Sequence, residues 1–123
     1  MKKSEQVAIL GASDKPDRYA FKAFELLKQH GHVPIPVSPK LKSIQGVSVV
    51  PDLSQIKTSV DTLTMYVNPT ISGGLQDKII KLHPKRVIFN PGSENPELAK
   101  ALEKSGVEVV EACTLVLLRT GQY

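Results

Sequence analysis

Small polar residues are concentrated in four short loops, and each loop follows an apolar stretch of the sequence. The first loop comes after the apolar residues 7–10 and is followed by a helix-like pattern. A glycine here lets a phosphate approach the backbone, and free N–H groups at the start of the helix bind anions. The tripeptide by itself fits a simple tight turn equally well. A hydroxyl and two cations complete this candidate anion site, which consists of Gly11, Ala12, Ser13, Lys15 and Arg18.

The second loop carries lysine where many nucleotide-binding proteins carry an acid. Proteins that bind NAD usually place a carboxylate at the end of the second strand, where it holds the ribose hydroxyls. Here that position has Ser38, Pro39 and Lys40, and Lys42 follows. A lysine attracts a phosphate on the ribose, whereas a carboxylate repels it. The loop therefore favours NADP, or coenzyme A with its 3′-phosphate, over NAD, although loop lysines are often simply solvated.

The third and fourth loops offer amides and turn residues instead of acid–base catalysts. They contain Val67, Asn68 and Pro69, and then Asn90, Pro91 and Gly92. Catalysis needs a nucleophile with a positioned base, or an acid–base pair with tuned pKa values. Cys113 is expected to be a buried small residue, and His30 and His32 are expected at the surface of the opposite edge of the sheet. We therefore predict no catalytic residue and no enzymatic activity.

These loops are positioned by strands that alternate with amphipathic helices. Such alternation predicts an α/β fold: a Rossmann-like three-layer sandwich with a mostly parallel sheet of five or six strands. In that fold, ligands bind beyond the carboxyl ends of the strands. We predict a strand over residues 62–67, one helix from about 72 to 82, and a helix capped by Asn95 with Pro96 in its first turn. Residues 115–118 fit a strand or a helix, and as a strand they could form a sheet edge that pairs with another chain.

The composition narrows the class of protein. The 123 residues suit one domain spanning 1–123, with net charge +4, a single cysteine and 5% aromatic residues. Neither a basic stripe with interleaved aromatics, as in nucleic-acid binders, nor an apolar run of transmembrane length is present. No cysteine–histidine spacing matches a metal site. One cysteine excludes an internal disulfide and fits a reducing compartment, so we expect a cytoplasmic protein without nucleic-acid or membrane partners.

The ordered segments "GASDKPDRYAF", "GHVPIPVSP", "MYVNP", "NPGSEN" and "GVEVVEACT" span essentially the whole chain. In this order they resemble the stand-alone coenzyme A-binding domain family, which is itself similar to the N-terminal domain of the succinyl-CoA synthetase alpha subunit. The resemblance implies a Rossmann-like domain that binds coenzyme A. The family commonly has Asn where this chain has Ser38, which changes one amide contact. The synthetase also has a phosphohistidine domain with no counterpart among these motifs, so the resemblance supports binding and does not supply catalysis.

The resemblance also implies a role for each loop. The first loop and the start of its helix would receive the pyrophosphate, and the second would border the ribose and its 3′-phosphate. The third would line the adenine and pantetheine side, and the fourth would flank the pantetheine arm. By position these residues are Gly11 and Ser13, then Pro39 and Lys40, then Val67, Asn68 and Pro69, and finally Asn90, Pro91 and Gly92, with Glu94 and Cys113 near the same face.

Three functions remain open from the sequence. The first is non-catalytic binding of coenzyme A or an acyl-CoA, as a carrier, sensor or regulatory module. The second is an NADP-binding protein, and the third is an interaction subunit with a vestigial nucleotide site. A protein partner or a homodimer is compatible with each of them.

Overall fold

A computed structural model describes residues 4–123, so the first three residues of the predicted domain lie outside the described part. In chain order the elements are β1 (Gln6–Leu10), α1 (Tyr19–Gln29), β2 (Val33–Val37), β3 (Ser43–Ile44), β4 (Val47–Ser48), a 3-10 turn (Leu53–Gln55), β5 (Thr62–Met65), α2 (Pro69–Gly73), α3 (Gln76–Leu82), β6 (Arg86–Phe89), α4 (Pro96–Lys104), β7 (Glu108–Glu111) and α5 (Thr114–Arg119).

Five strands form one parallel sheet in the order β2-β1-β5-β6-β7, which confirms the predicted fold class. Strand β1 shows how the sheet is covered on both faces. Its Val7 and Ile9 pack in the core on the side of α1 and α5, whereas Ala8 and Leu10 pack on the side of α3 and α4. Because alternate side chains of a strand point to opposite faces, an all-apolar strand requires this double cover. The loops that follow the carboxyl ends of β1, β2, β5 and β6 (residues 11–18, 38–42, 66–68 and 90–94) are called the carboxyl rim below.

The two prolines of β2 are tolerated because β2 is an edge strand. The backbone N–H of Val33 donates to the carbonyl of Glu5 on the β1 side, at 2.8 Å. Backbone groups alternate in direction along a strand, so Pro34 and Pro36 turn their nitrogens away from β1, where no donor is needed. On the outer side the carbonyl of Pro36 accepts a hydrogen bond from the N–H of Val50, at 2.9 Å. Residues 47–50 therefore contribute a short β4 and an isolated bridge to β2.

The single helix predicted over residues 72–82 is wrong. Two shorter helices, α2 and α3, occupy this region, and the helical conformation is interrupted between them near Gly73 and Gly74. Helix α2 starts early because Asn68 Oδ1 accepts a hydrogen bond from the N–H of Ile71, at 3.0 Å, and Pro69 takes the first helical position. This cap also ends β5 at Met65, two residues before the predicted end of that strand.

The structure selects the helix for residues 115–118, where the sequence fitted a strand or a helix, and it corrects one expectation about the histidines. Residues 115–118 belong to α5, whose Leu115 and Leu118 are buried, so they form no sheet edge. His32 is buried and not at the surface: its Nδ1 accepts a hydrogen bond from the N–H of Glu5 at 3.1 Å, and its ring lies 5.0 Å from that of Tyr123. The amino-terminal edge of the sheet is thus closed by packed side chains.

Asp52 connects the 3-10 turn to α3. Its carboxylate accepts hydrogen bonds from the hydroxyl and the N–H of Ser54, and its Oδ1 lies 2.9 Å from Lys78 Nζ. The Ser54 hydroxyl first, and then the Lys78 ammonium, lower the pKa of Asp52 to about 2. The turn that this residue caps carries Leu53, which is buried in the core on the α3 side.

Replacing Asp52 by Asn is expected to reduce the free energy of unfolding by about 1 kcal/mol at pH 7, after allowing for solvent screening. Because folding depresses the pKa of Asp52, its stabilising effect is complete above pH 3.8 and is lost as the pH falls towards 2. Urea unfolding of both proteins between pH 2 and 7 measures the difference. An exposed acid, Asp14→Asn, serves as the control and should change stability little at any pH. A deficit that stays constant down to pH 2 would contradict this account.

Candidate functional site

A cavity of about 560 Å³ opens at the carboxyl rim, between the loops that follow β1, β5 and β6. Its volume falls within the usual range for small-molecule sites. It lies where the chain order reverses between β1 and β5, which is the position where doubly wound sheets bind their ligands. Its lining consists of Gly11, Ser13, Lys15, Arg18, Tyr19, Ala20, Met65, Tyr66, Val67, Asn68, Pro91, Gly92 and Ser93.

Gly11 holds the loops around the cavity together. Its φ is +89°, and a Cβ placed on it would lie 2.9 Å from Val67 Cγ1 and 3.0 Å from the carbonyl oxygen of Tyr66. The N–H groups of Gly11 and Ala12 both donate to the carbonyl of Val37, at 3.2 and 3.1 Å. The close approach that glycine permits here is therefore to the protein's own β5 loop, and these two N–H groups are occupied by β2.

The anion-binding features lie slightly further along the chain, at the start of α1. Helix α1 begins at Tyr19, and Arg18 occupies the N-cap in an extended conformation without a side-chain capping bond. The N–H groups in the first turn of a helix have no intrahelical acceptor, and they carry the positive end of the helix dipole. Tyr19 and Ala20 in this turn line the cavity together with the exposed cations Lys15 and Arg18. This end of the cavity can hold a phosphate.

The opposite wall of the cavity is more apolar and is shaped by capped turns. Val67 and Pro91 contribute aliphatic surface, and Asn68 adds an amide. In the β6 loop, the N–H of Gly92 donates to Glu94 Oε1 at 2.9 Å. Glu94 is exposed, and its carboxylate closes this turn. A mixed wall of this kind suits a ligand arm that carries both methylene and amide groups.

Asn90 is positioned beneath the carboxyl rim, not on the cavity surface. Its Nδ2 donates to Thr64 Oγ1 at 2.7 Å and to the carbonyl of Met65 at 2.9 Å, and its Oδ1 accepts from the N–H of Thr114 at 2.8 Å. Thr64 and Thr114 also share a hydrogen bond of 2.8 Å between their hydroxyls. All three residues are buried. Because its amide is satisfied by protein groups, Asn90 fixes β5, β6 and α5 to one another.

The cavity brings together eight of the residues predicted from sequence: Gly11, Ser13, Lys15, Arg18, Val67, Asn68, Pro91 and Gly92. Six others do not line it: Ala12, Ser38, Pro39, Lys40, Pro69 and Asn90. Ala12 is buried, and Pro69 starts α2 and faces a smaller cavity of about 290 Å³. Residues 38–40 follow β2, one strand further out. There Ser38 Oγ accepts a hydrogen bond from the N–H of Lys40 at 3.2 Å, and the Lys40 side chain is exposed.

Sequence reasoning missed several lining residues: Tyr19, Ala20, Met65, Tyr66 and Ser93. Most of them lie one or two positions from a predicted residue. The sequence therefore identified the correct loops, but it did not identify every residue of these loops that lines the cavity. Tyr19 had a usable signal, since it directly follows Arg18 at the start of a helix whose apolar stripe begins only at Ala20. Burial raises the pKa of Tyr66 to about 12, so its phenol is neutral at physiological pH.

Two further features bear on the chemistry of the described part of the chain. Among residues 4–123, no three His, Cys, Asp or Glu side chains are grouped closely enough to hold a metal ion. In the same residues, no helix is both long and apolar enough to cross a bilayer.

The model of the CoA binding domain family matches residues 5–119. The chain belongs to this family. The resemblance noted in the sequence motifs is thereby confirmed, and coenzyme A is the ligand class that the family supports. Residues 5–119 include all the loops that border the cavity, so the match covers the whole candidate site.

Known proteins share the fold over nearly the whole chain. A crystal structure described as that of an uncharacterized protein is 43% identical, with a TM-score of 0.93, and the match covers 99% of this chain and 100% of that one. The uncharacterized protein YneT of Bacillus subtilis is 24% identical over 110 residues, which are 89% of this chain and 82% of YneT. The apo dinucleotide-forming acetyl-coenzyme A synthetase 1 of Ca. Korarchaeum cryptofilum is 20% identical, with a TM-score of 0.76, and the match covers 88% of this chain and 26% of that enzyme. At that identity the likeness shows the fold alone.

Replacing Asn90 by Ala is expected to reduce the free energy of unfolding by about 2–4 kcal/mol, because it leaves several buried polar groups without partners. Chemical denaturation measures the loss. Asn68→Ala, which removes an exposed helix cap on the neighbouring loop, is the matched control and should cost about 1 kcal/mol. Equal losses for the two variants would show that the Asn90 network does not carry the stability assigned to it.

Proposed function

We propose that this protein binds coenzyme A or an acyl-CoA in the carboxyl-rim cavity without transforming it, as a carrier, sensor or regulatory module. The observation that carries the proposal is the two-sided character of the cavity. One end combines the start of α1 with Lys15 and Arg18, and the other end offers Val67 and Pro91. Coenzyme A has the same two parts, an anionic nucleotide and a long, weakly polar arm.

The phosphate end supports a pyrophosphate ligand. A helix N-terminus favours negative charge within its first turn, and α1 has 11 residues, which is enough for a full dipole. Lys15 and Arg18 add two positive charges that remain solvated until a ligand arrives. Arg18, at the N-cap itself, is the residue best placed to contact both phosphates, since its guanidinium presents a fork of donors. We expect it to contribute more to affinity than Lys15.

The second loop supports a further phosphate outside the cavity. The bonds from Gly11 and Ala12 to Val37 hold the end of β2 directly beside the phosphate loop. The Lys40 side chain is exposed just beyond that point. A bound ligand whose ribose carries a phosphate can therefore extend out of the cavity as far as this lysine. NADP shares this feature and is the competing ligand, but it has no counterpart to the pantetheine arm.

Binding is tested by thermal shift with coenzyme A, NADP and NAD. A ligand that binds only the folded state raises the melting temperature in proportion to ln(1 + [L]/Kd). We expect coenzyme A to give the largest shift, and Arg18→Gln to weaken its binding by about tenfold, the usual effect of losing one charged hydrogen bond. Lys81→Gln, an exposed cation on α3 away from the cavity, is the matched control.

Two outcomes of this experiment would contradict the proposal. Absence of any shift with coenzyme A would remove the binding function, and a larger shift with NADP would assign the site to that cofactor. In the same experiment, acetyl-CoA is incubated with the protein and analysed by mass spectrometry. Recovery of intact acetyl-CoA supports binding without catalysis, whereas protein-dependent formation of free coenzyme A contradicts it.

The role of Lys40 is tested with dephospho-coenzyme A, which lacks only the 3′-phosphate. We expect the wild-type protein to bind coenzyme A several-fold more tightly than the dephosphorylated form, as measured by calorimetry. In Lys40→Gln this preference should largely disappear, because an exposed lysine acts mainly through its charge. Lys28→Gln, on α1 at the end away from the cavity, should keep the preference. Equal affinity of the wild-type protein for both ligands would exclude a 3′-phosphate contact at this loop.

A further inference from the structure

We infer that Tyr19 is the base-stacking residue of this site, and that its ring forms the surface on which the purine of the bound nucleotide lies. The inference rests on the proposed function and adds to it a residue that stacks on the base. Its starting point is an aromatic ring in an unusual place. Tyr19 is 68% exposed at the first position of α1, whereas Phe21 and Phe24 on the same helix are buried.

The fold gives no packing reason for an aromatic residue at this position. The apolar stripe of α1 that covers the sheet is formed by other residues: Ala20, Phe21, Ala23, Phe24 and Leu27. Tyr19 lies outside this stripe, so its ring adds little to the core. Within residues 4–123, the other exposed large apolar residues are Val33, Ile71 and Val116, and none of these three lines the cavity. Tyr19 combines exposure with a place in the cavity wall.

Its position matches the chemistry of a nucleotide. Tyr19 lines the cavity next to Arg18 and in the same helical turn as the N–H groups that would hold the pyrophosphate. In an adenosine nucleotide the base is separated from the phosphates by one ribose. A ring directly beside the phosphate site is therefore within reach of the base, whereas the pantetheine arm extends from the other side of the pyrophosphate.

Lys22 contacts the Tyr19 ring and leaves room for a base. Lys22 Nζ lies 5.5 Å from the centre of the Tyr19 ring, within the range of a cation–π contact. This contact occupies one face of the ring, and because Tyr19 is largely exposed, the opposite face is open to a base. The other tyrosine of the lining, Tyr66, is part of the core on the α1 side and has a buried hydroxyl. Tyr19 is thus the ring with an accessible face.

The test compares binding of the two halves of coenzyme A to the full chain. Calorimetry and competition against coenzyme A give affinities for coenzyme A, adenosine 3′,5′-bisphosphate and 4′-phosphopantetheine. Tyr19→Ala is expected to weaken coenzyme A and the bisphosphate alike, by about 5- to 100-fold, the usual range for losing one stacked base. The affinity for 4′-phosphopantetheine should stay unchanged. Tyr19→Phe and Tyr19→Trp should bind coenzyme A within about threefold of the wild type, since both keep a π-face.

Val116→Ala removes another exposed side chain, on α5 and away from the cavity, and should leave all three affinities unchanged. Thermal melts without ligand should coincide for the wild type and Tyr19→Ala, because an exposed side chain contributes little to stability. Wild-type affinity of Tyr19→Ala for coenzyme A would overturn the inference and leave the proposed function standing. Selective loss of 4′-phosphopantetheine binding would overturn it by assigning the ring to the arm. Failure of the wild-type protein to bind coenzyme A at all would overturn the proposed function, and the inference with it.

Discussion

The site depends on one close contact, between the backbone of Gly11 and the start of the β5 loop. At this point the chain has a positive φ, and there is no space for a Cβ against Tyr66 and Val67. The carbonyl of Val37 accepts hydrogen bonds from two consecutive N–H groups on the other side of the same turn. Three loops from three neighbouring strands are therefore held at fixed distances. The contact fixes the β1 and β5 loops, which border the cavity together with the β6 loop.

The polar groups of the carboxyl rim divide into those that build it and those left for a ligand. Asn90 and Ser38 satisfy neighbouring protein groups, and the carboxylate of Glu94 closes the β6 turn. Side chains used in this way are held in fixed orientations, which is what a preorganised site requires. The groups that remain turned to the cavity include the first turn of α1, the exposed Arg18 and Lys15, and the amide of Asn68. A small number of polar groups thus faces the ligand on a scaffold fixed by many others.

The sequence was informative where one local pattern decides the structure. The strand predicted from residue 62 begins there as β5, and Asn95 caps α4 as expected, with its Oδ1 accepting from the N–H of Leu98. The sequence was less informative where tertiary contacts determine the orientation of a side chain. Asn90 has the residue type of a ligand contact, but its direction depends on Thr64 and Thr114, which are distant in sequence. Loop positions follow from strand order, whereas the direction of each side chain follows from partners that a single sequence does not reveal.

The wall that would face the pantetheine arm bears on the choice between binding and catalysis. Its apolar residues are Val67 and Pro91, and burial raises the pKa of the adjoining Tyr66 to about 12. A phenol with such a pKa stays protonated, and its oxygen is buried, so it is a poor general base. The charges of the cavity lie at the opposite end, on Lys15 and Arg18. Under the proposed function, this separation places the strong electrostatic interactions on the phosphates and surrounds the arm with neutral groups, an arrangement suited to holding a thioester unreacted.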